Sequence, residues 1–468
     1  MHPLDISSEQ FRRLAEHATR LAADYLQTLD SRPIYPGSSG KETDALFHTE
    51  FPEKGLGEDV LSGLQDVIKH SRAQNGRFFG YVLGSGESVG ATAELLASVL
   101  NQNVTSWRSA PAAVAIEKTV VAWLAQAIGC QPFVGSLTGG GSSANLMGLA
   151  MAREAKMPAN ERGVGTGGAV YASEEAHMSI PKSLALLGIG RENLRLISTN
   201  NVFQMIPEEL HRIIVGDKEA GKTPIAVVAT AGTVNTGAID PIREVAEIAR
   251  HHGAWLHVDG AYGALAALAV RDKFNGLELA DSLSLDPHKW LYQSLDVGCL
   301  LYRDANAAQK AFSYSGEYAR SLSTDPLESF SFFEESLELS RRFRALKLWL
   351  SLRYHGFERF REAVKKDLAH ARRLSEQVES EEHLELLAPA ELSAVCFRYR
   401  GKGQLSETEL NRLNPMILKR VIERGRVYLS NAWLRQRFCL RACIVNHRTT
   451  DSDVDDVIAE VLSAAEEI

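Results

Sequence analysis

The chain has 468 residues, 45% of them hydrophobic and 24% charged, with a formal net charge of −8. That length and composition fit a globular protein of two or three domains, with a core large enough to enclose a small molecule. The 51 basic residues form no runs, so a nucleic-acid partner is not expected, and no apolar run approaches the ~20 residues of a membrane span.

Residues 1–84 read as a helical segment. Phe11, Leu14, Ala18, Leu21, Tyr25 and Leu29 recur at helical spacing, the mark of one apolar face. A breaker-rich stretch from Ser31 to Gly40 follows, then a second helical pattern around Val60 to Ile68. Such a segment has too little core of its own and is expected to pack on another surface, such as a second subunit. It shows no basic stretch leading into an apolar one, so no secretory signal is read and a cytoplasmic location is expected.

Residues 85–355 alternate helices with short, continuous apolar runs. Ala169–Ala172, Leu194–Ile197, Ile225–Thr230, Trp255–Asp259 and Gly298–Tyr302 are the strand candidates, with a helix such as Ile242 to His251 between them. This pattern implies an α/β domain, a mostly parallel sheet covered by helices. Binding sites in such sheets lie beyond the carboxyl ends of the strands. After a long helix near Arg342 to Tyr354, residues 356–468 mix helices with strands such as Ala394–Arg398 and read as a smaller α+β domain. The five cysteines form no C-x-x-C pair and read as reduced, buried thiols. Cys439, Cys443 and His447 are evenly spaced, but no second ligand pair follows, so no metal is expected.

Four stretches carry candidate chemistry. Gly135 to Asn145 is glycine-rich and opens a helix; it reads as a flexible turn, a nucleotide loop or, through Gly141 and Ser142, a phosphate seat. No lysine follows the glycines as a Walker loop requires. His177, just after the run ending at Ala172, is either a structural histidine or a ring-stacking acid–base group. Asp259 closes the His257-Val258-Asp259 run as a helix cap or as a carboxylate for a pyridinium nitrogen, with Ala261 small enough to lie against a flat ring. Lys289, in Asp286-Pro287-His288-Lys289-Trp290, sits in an odd setting for a solvated lysine, and a desolvated amine is a competent nucleophile.

Together with Thr230-Ala231-Gly232-Thr233 and Arg341-Arg342-Phe343-Arg344, these stretches occur in the order found in one family. From about Phe78 onward the chain resembles the fold-type I, group II decarboxylases that use pyridoxal 5′-phosphate, the aromatic-L-amino-acid, glutamate and diaminobutyrate decarboxylases. The resemblance implies that Lys289 holds the cofactor as a Schiff base and that His288, Gly141 and Ser142 contact its phosphate. It further implies that Asp259 pairs with the ring nitrogen, His177 stacks on the ring and Thr233 lies near the ring substituents. It also implies a homodimer with the active site at the subunit interface.

Two departures stand out. The family's proton-donating loop tyrosine, counted back from Arg341 without a gap, falls on Phe332, with Tyr314 and Tyr318 upstream as substitutes. Loss of that tyrosine is associated in the family with oxygen-dependent deamination to an aldehyde. The expected substrate wall is Tyr81, Val82, Asn103, Thr105 and Trp107, smaller and more polar than in aromatic decarboxylases, while Arg108 reads as a surface arginine or a partner for an acidic side chain. The leading expectation is decarboxylation of an L-amino acid, aromatic ahead of acidic or diamino ones. Aldehyde synthesis through the missing tyrosine is the alternative, and a non-catalytic cofactor-binding protein the remote one.

Overall fold

The computed structural model describes residues 2, 4–314 and 323–468. Helices α1 (Ser8–Thr28), α2 (Gly40–Phe47) and α3 (Leu64–His70) come first. A capping box from Ser7 and Gln10 starts α1, whose residues are nowhere buried: the apolar stripe is present but uncovered within the protomer.

The central domain opens with α4 (Ser88–Leu100) and α5 (Pro111–Ala127). Its seven strands are β1 (Val134–Thr138), β2 (Gly168–Ser173), β3 (Leu194–Ile197), β4 (Thr223–Thr230), β5 (Trp255–Asp259), β6 (Ser282–Leu285) and β7 (Gly298–Tyr302). They are ordered β1-β7-β6-β5-β4-β2-β3. The β6-β5-β4-β2-β3 portion is parallel, and β7 runs against both of its neighbours. Strands β1, β2, β4, β5 and β6 therefore all end at the same edge.

Helices α6 (Gly141–Lys156), α7 (Ser179–Leu186), α8 (Pro207–Glu219), α9 (Ile242–His252), the single turn α10 (Pro287–Trp290) and α11 (Ala305–Phe312) complete this domain. Alternate strand residues feed separate cores. Val227, Ala229, Leu256 and Val258 join one cluster, while Ala226, Val228, Val170 and Leu300 join the other. Burial on both faces explains why these strands read as continuous apolar runs.

Strands β1 and β6 are absent from the five runs picked out in the sequence, and Gly135 to Thr138 reads there as part of a glycine-rich stretch. A Cβ at Gly135 would come within 2.0 Å of the Leu300 carbonyl oxygen, so the residue that looks like a turn former is what lets β1 lie against β7.

Helix α12 (Ala345–Ser380) is far longer than the Arg342 to Tyr354 pattern suggested, and it bends at Gly356, where φ is 72°. Beyond the bend lie β8 (Leu384–Leu386), β9 (Ala394–Tyr399), α13 (Glu407–Arg424), β10 (Ser430–Leu434), β11 (Arg437–Cys443) and α14 (Asp451–Glu466). The four strands form an antiparallel sheet, β10-β11-β9-β8, with its own core around Val395, Phe397, Leu440 and Val457. All five cysteines are free and buried. Among the described residues no helix is long and apolar enough to cross a membrane.

Candidate active site

Where the parallel strands end, the chain leaves a cavity of about 340 Å³. It is lined by the ends of β4 and β5, which supply Thr230 and Asp259, and by the segments that follow β1, β2 and β6, which supply Gly141, His177 and Lys289. Ser142, Ala261 and His288 also line it. Thus eight expected site residues, among them Val82 on the outer wall, meet in one place although they span 82–289 in the sequence.

Lys289 leaves the short α10 turn with its Nζ 3.0 Å from Asp286 Oδ2. The other oxygen, Asp286 Oδ1, is buried without a partner. His288 donates from Nδ1 to the Val297 carbonyl at 2.7 Å, which turns Nε2 toward Asp286 at 3.6 Å. Burial lowers the His288 pKa below the usual histidine range. Asp259 accepts from Asn145 Nδ2 at 2.9 Å on one oxygen, and from Ser284 Oγ and the Ala261 amide, both at 3.2 Å, on the other. His177 is half-buried and its pKa is likewise lowered, chiefly by burial, so the ring is neutral at physiological pH.

These groups suit pyridoxal 5′-phosphate. Helix α6 begins at Gly141 with no side-chain cap, so its first amides are open to an anion. A Cβ at Gly141 would sit 2.6 Å from Ala261 Cβ and 2.9 Å from Asp286 Oδ2, so only glycine keeps that seat clear. An amine for the aldehyde and a carboxylate for the ring nitrogen share the same cavity, and Thr230 Oγ1 is left buried without a partner.

Several expected residues lie elsewhere. Thr233 is fully buried with its hydroxyl on Thr236 at 2.9 Å, and Thr230 takes the lining position instead. Phe332 is also fully buried: its ring packs edge-on to Phe330 and 4.3 Å beneath the Arg341 guanidinium. Within this protomer, apolar packing holds it away from the cavity. Tyr314 is 92% exposed, and Tyr318 lies outside the described residues. Asn103, Thr105 and Trp107 do not reach this protomer's cavity. Their loop pairs with the segment around Phe332, through Trp107 N to the Phe330 carbonyl at 3.0 Å and Phe333 N to the Thr105 carbonyl at 3.3 Å. Tyr81 is half-exposed, its hydroxyl 3.1 Å from that of Tyr428.

Sequence reasoning missed Asp286, which stands inside a quoted motif but looks like an ordinary helix cap. It also missed Arg441. From β11 this arginine donates to the Asn235 carbonyl at 3.1 Å beside Val234 of the cavity wall, and its buried Nη2 has no partner. No local pattern marks an arginine that reaches the loop behind the cavity wall from another sheet.

Comparison with known proteins agrees with this geometry. Residues 40–400 match the family described as the pyridoxal-dependent decarboxylase conserved domain. The chain is 35% identical to an aromatic-L-amino-acid decarboxylase of Bacillus atrophaeus, over 99% of this chain and 97% of that one. It is 31% identical to a phenylacetaldehyde synthase of Petunia hybrida, over 94% and 91% respectively. The crystal structure of Oryza sativa TDC with PLP and tryptamine superposes with a TM-score of 0.93 at 27% identity, covering 100% of this chain and 99% of that one.

Proposed function

The chain belongs to the pyridoxal-dependent decarboxylases, and on that premise we propose that it converts an aromatic L-amino acid to its amine at the cavity around Lys289. The observation that carries this reading is the convergence of Lys289, Asp259, His177 and the uncapped start of α6 on one cavity. The bound cofactor supplies the electron sink for loss of carbon dioxide. Lys289, oriented by Asp286, would hold its aldehyde carbon, while Gly141, Ser142 and His288 would hold its phosphate. Asp259, its two oxygens fixed by three donors, would keep a proton on the ring nitrogen. His177 and Ala261 would bracket the ring. Val82, Val234 and Leu295 make the remaining wall apolar, which favours an aromatic side chain over a charged one.

A homodimer completes this reading. The uncovered stripe of α1 and the exposed Leu95, Leu96 and Val99 of α4 supply apolar surface for a second copy. In such a dimer Asn103, Thr105 and Trp107 would serve the partner's cavity rather than their own. Residues 1–84 would then be the docking segment, 85–355 the cofactor domain and 356–468 the small domain, a division supported by the bend at Gly356 and the separate C-terminal core. Free, buried cysteines suit a cytoplasmic location.

A second reading, oxidative deamination to an aldehyde, is favoured by one observation. Among the described residues the phenol lining the cavity is Tyr262, and its hydroxyl is tied to Ser393 at 2.8 Å, so no free phenol stands ready as a proton donor. One experiment tests both readings. The cofactor-loaded protein is given a panel of L-amino acids under air, and carbon dioxide, amine, aldehyde and peroxide are quantified. Amine equal to carbon dioxide from an aromatic acid supports the first; aldehyde with peroxide supports the second. No carbon dioxide from any acid sinks both.

A further inference from the structure

Behind the cavity, seven side chains from β5, β6, α6, α7 and the loop after β2 form one hydrogen-bonded network. Trp255 Nε1 donates to Ser282 Oγ at 2.8 Å, and Ser282 Oγ lies 2.8 Å from His257 Nδ1. His257 Nε2 is 2.9 Å from Asn145 Oδ1. Asn145 Nδ2 donates both to Asp259 at 2.9 Å and to Ser179 Oγ at 3.0 Å, and Ser179 Oγ is 2.8 Å from His177 Nδ1.

The direction of every link follows from Asp259. A carboxylate only accepts, so the amide of Asn145 must turn its NH₂ toward Asp259 and its oxygen toward His257. His257 must then carry its proton on Nε2, leaving Nδ1 to accept from Ser282. On the other branch Ser179 Oγ accepts from Asn145, so its own hydroxyl proton points at His177 Nδ1. The Ser179 amide also donates to that nitrogen at 3.2 Å, so Nδ1 carries no proton from two sides. The proton of His177 is thereby assigned to Nε2. His257 is wholly buried and its pKa is pushed down to about 4 by that burial, in keeping with a neutral relay.

Building on the reading above, we propose that Asn145 is a positioning residue that couples Asp259 to His177, so that His177 presents an Nε2–H donor to the reacting groups. Its amide uses both protons and its oxygen at once, and one side chain orients both the carboxylate and the histidine. Asp259, Asp286 and Lys289 are the charged groups whose fields act on His177. In this arrangement the neutral His177 donates a hydrogen bond through Nε2–H, and its Nδ1 is occupied as an acceptor.

The test uses the full chain labelled with ¹⁵N-histidine, with His177→Gln identifying the resonance. In the cofactor-free protein His177 is expected as the neutral Nε2–H form. Asn145→Asp reverses the link to Ser179 and sets a second carboxylate beside Asp259. It is expected to raise the His177 titration by about one pH unit or more. It is also expected to weaken pyridoxal 5′-phosphate binding about tenfold or more, the worth of one hydrogen bond to a charged group. Ser179→Ala cuts only the histidine branch and is expected to shift His177 while leaving cofactor affinity within about twofold. Should Asn145→Asp not fold, Asn145→Ser is read for the same two changes. An Nδ1–H His177, or an Asn145 variant that moves only one of the two readouts, overturns the coupling. Absence of cofactor uptake by the unmodified protein would instead sink the cofactor reading, and the cofactor-free spectra would still decide this inference.

Discussion

Phe332→Tyr separates a sequence alignment from the fold. If Phe332 stood where a proton donor belongs, tyrosine would divert product from aldehyde to amine. The structure predicts otherwise. The ring has no exposed surface, lies edge-on to Phe330 at 4.8 Å between centroids, and is covered by Arg341 at 4.3 Å. Arg341 is itself held by the carbonyls of Val104 and Leu137 and by Glu117, so the cover cannot swing aside cheaply. A hydroxyl forced into that packing costs about 1–3 kcal/mol. For a domain of this size that lowers the melting temperature by roughly 2–4 °C per kcal/mol. Thermal unfolding of the variant, with product analysis under air, should show a lower melting temperature and an unchanged ratio of amine to aldehyde. A ratio that moves several-fold toward amine would refute the placement of Phe332 in the core.

Four further outcomes are expected. Gly141→Ala should weaken cofactor binding about tenfold or more, because its methyl would overlap Ala261 and Asp286. Gly216→Ala, at an exposed helical site where nothing lies within 4 Å, should instead raise stability by up to about 1 kcal/mol. Equal cofactor titrations for Gly141→Ala and the parent would remove the phosphate seat from Gly141. Asp367 is wholly buried and its carboxyl is pushed up to about 8 by that burial, so the folded state keeps a proton that the unfolded chain releases near pH ~3.9. Stability therefore falls as pH rises through that window, by up to about 1.4 kcal/mol per unit, and levels off above the folded value. Asp367→Asn should melt progressively higher than the parent from pH 5 to 8, and a constant difference would mean that Asp367 is not buried as the neutral acid. Finally, Leu96→Glu on the exposed face of α4 should yield monomers by sedimentation and cost most of the activity; a stable, active dimer would place the interface elsewhere.

The sequence by itself determined five of the seven central strands and the family's chemistry. Leu194–Ile197, Trp255–Asp259 and Gly298–Tyr302 appear as strands with the bounds read from their apolar runs; Trp255–Asp259 and Gly298–Tyr302 are buried throughout, which leaves an unbroken signal. Lys289, His177 and Gly141 lie just beyond strands and Asp259 closes one, all at the same edge of the sheet, where local chemistry and topology coincide. Other features were decided by tertiary structure. β1 contains Gly135, which only the closeness of β7 explains. Phe332 sits at the right sequence distance from Arg341, but a ringful of apolar contacts outweighs spacing and draws it into the core. The contact of Arg441 and the relay through Asn145 depend on partners up to 206 residues away, since hydrogen bonds between elements leave no period along the chain. Periodicity records which face of an element is buried; which side chains then meet is decided by how those elements pack.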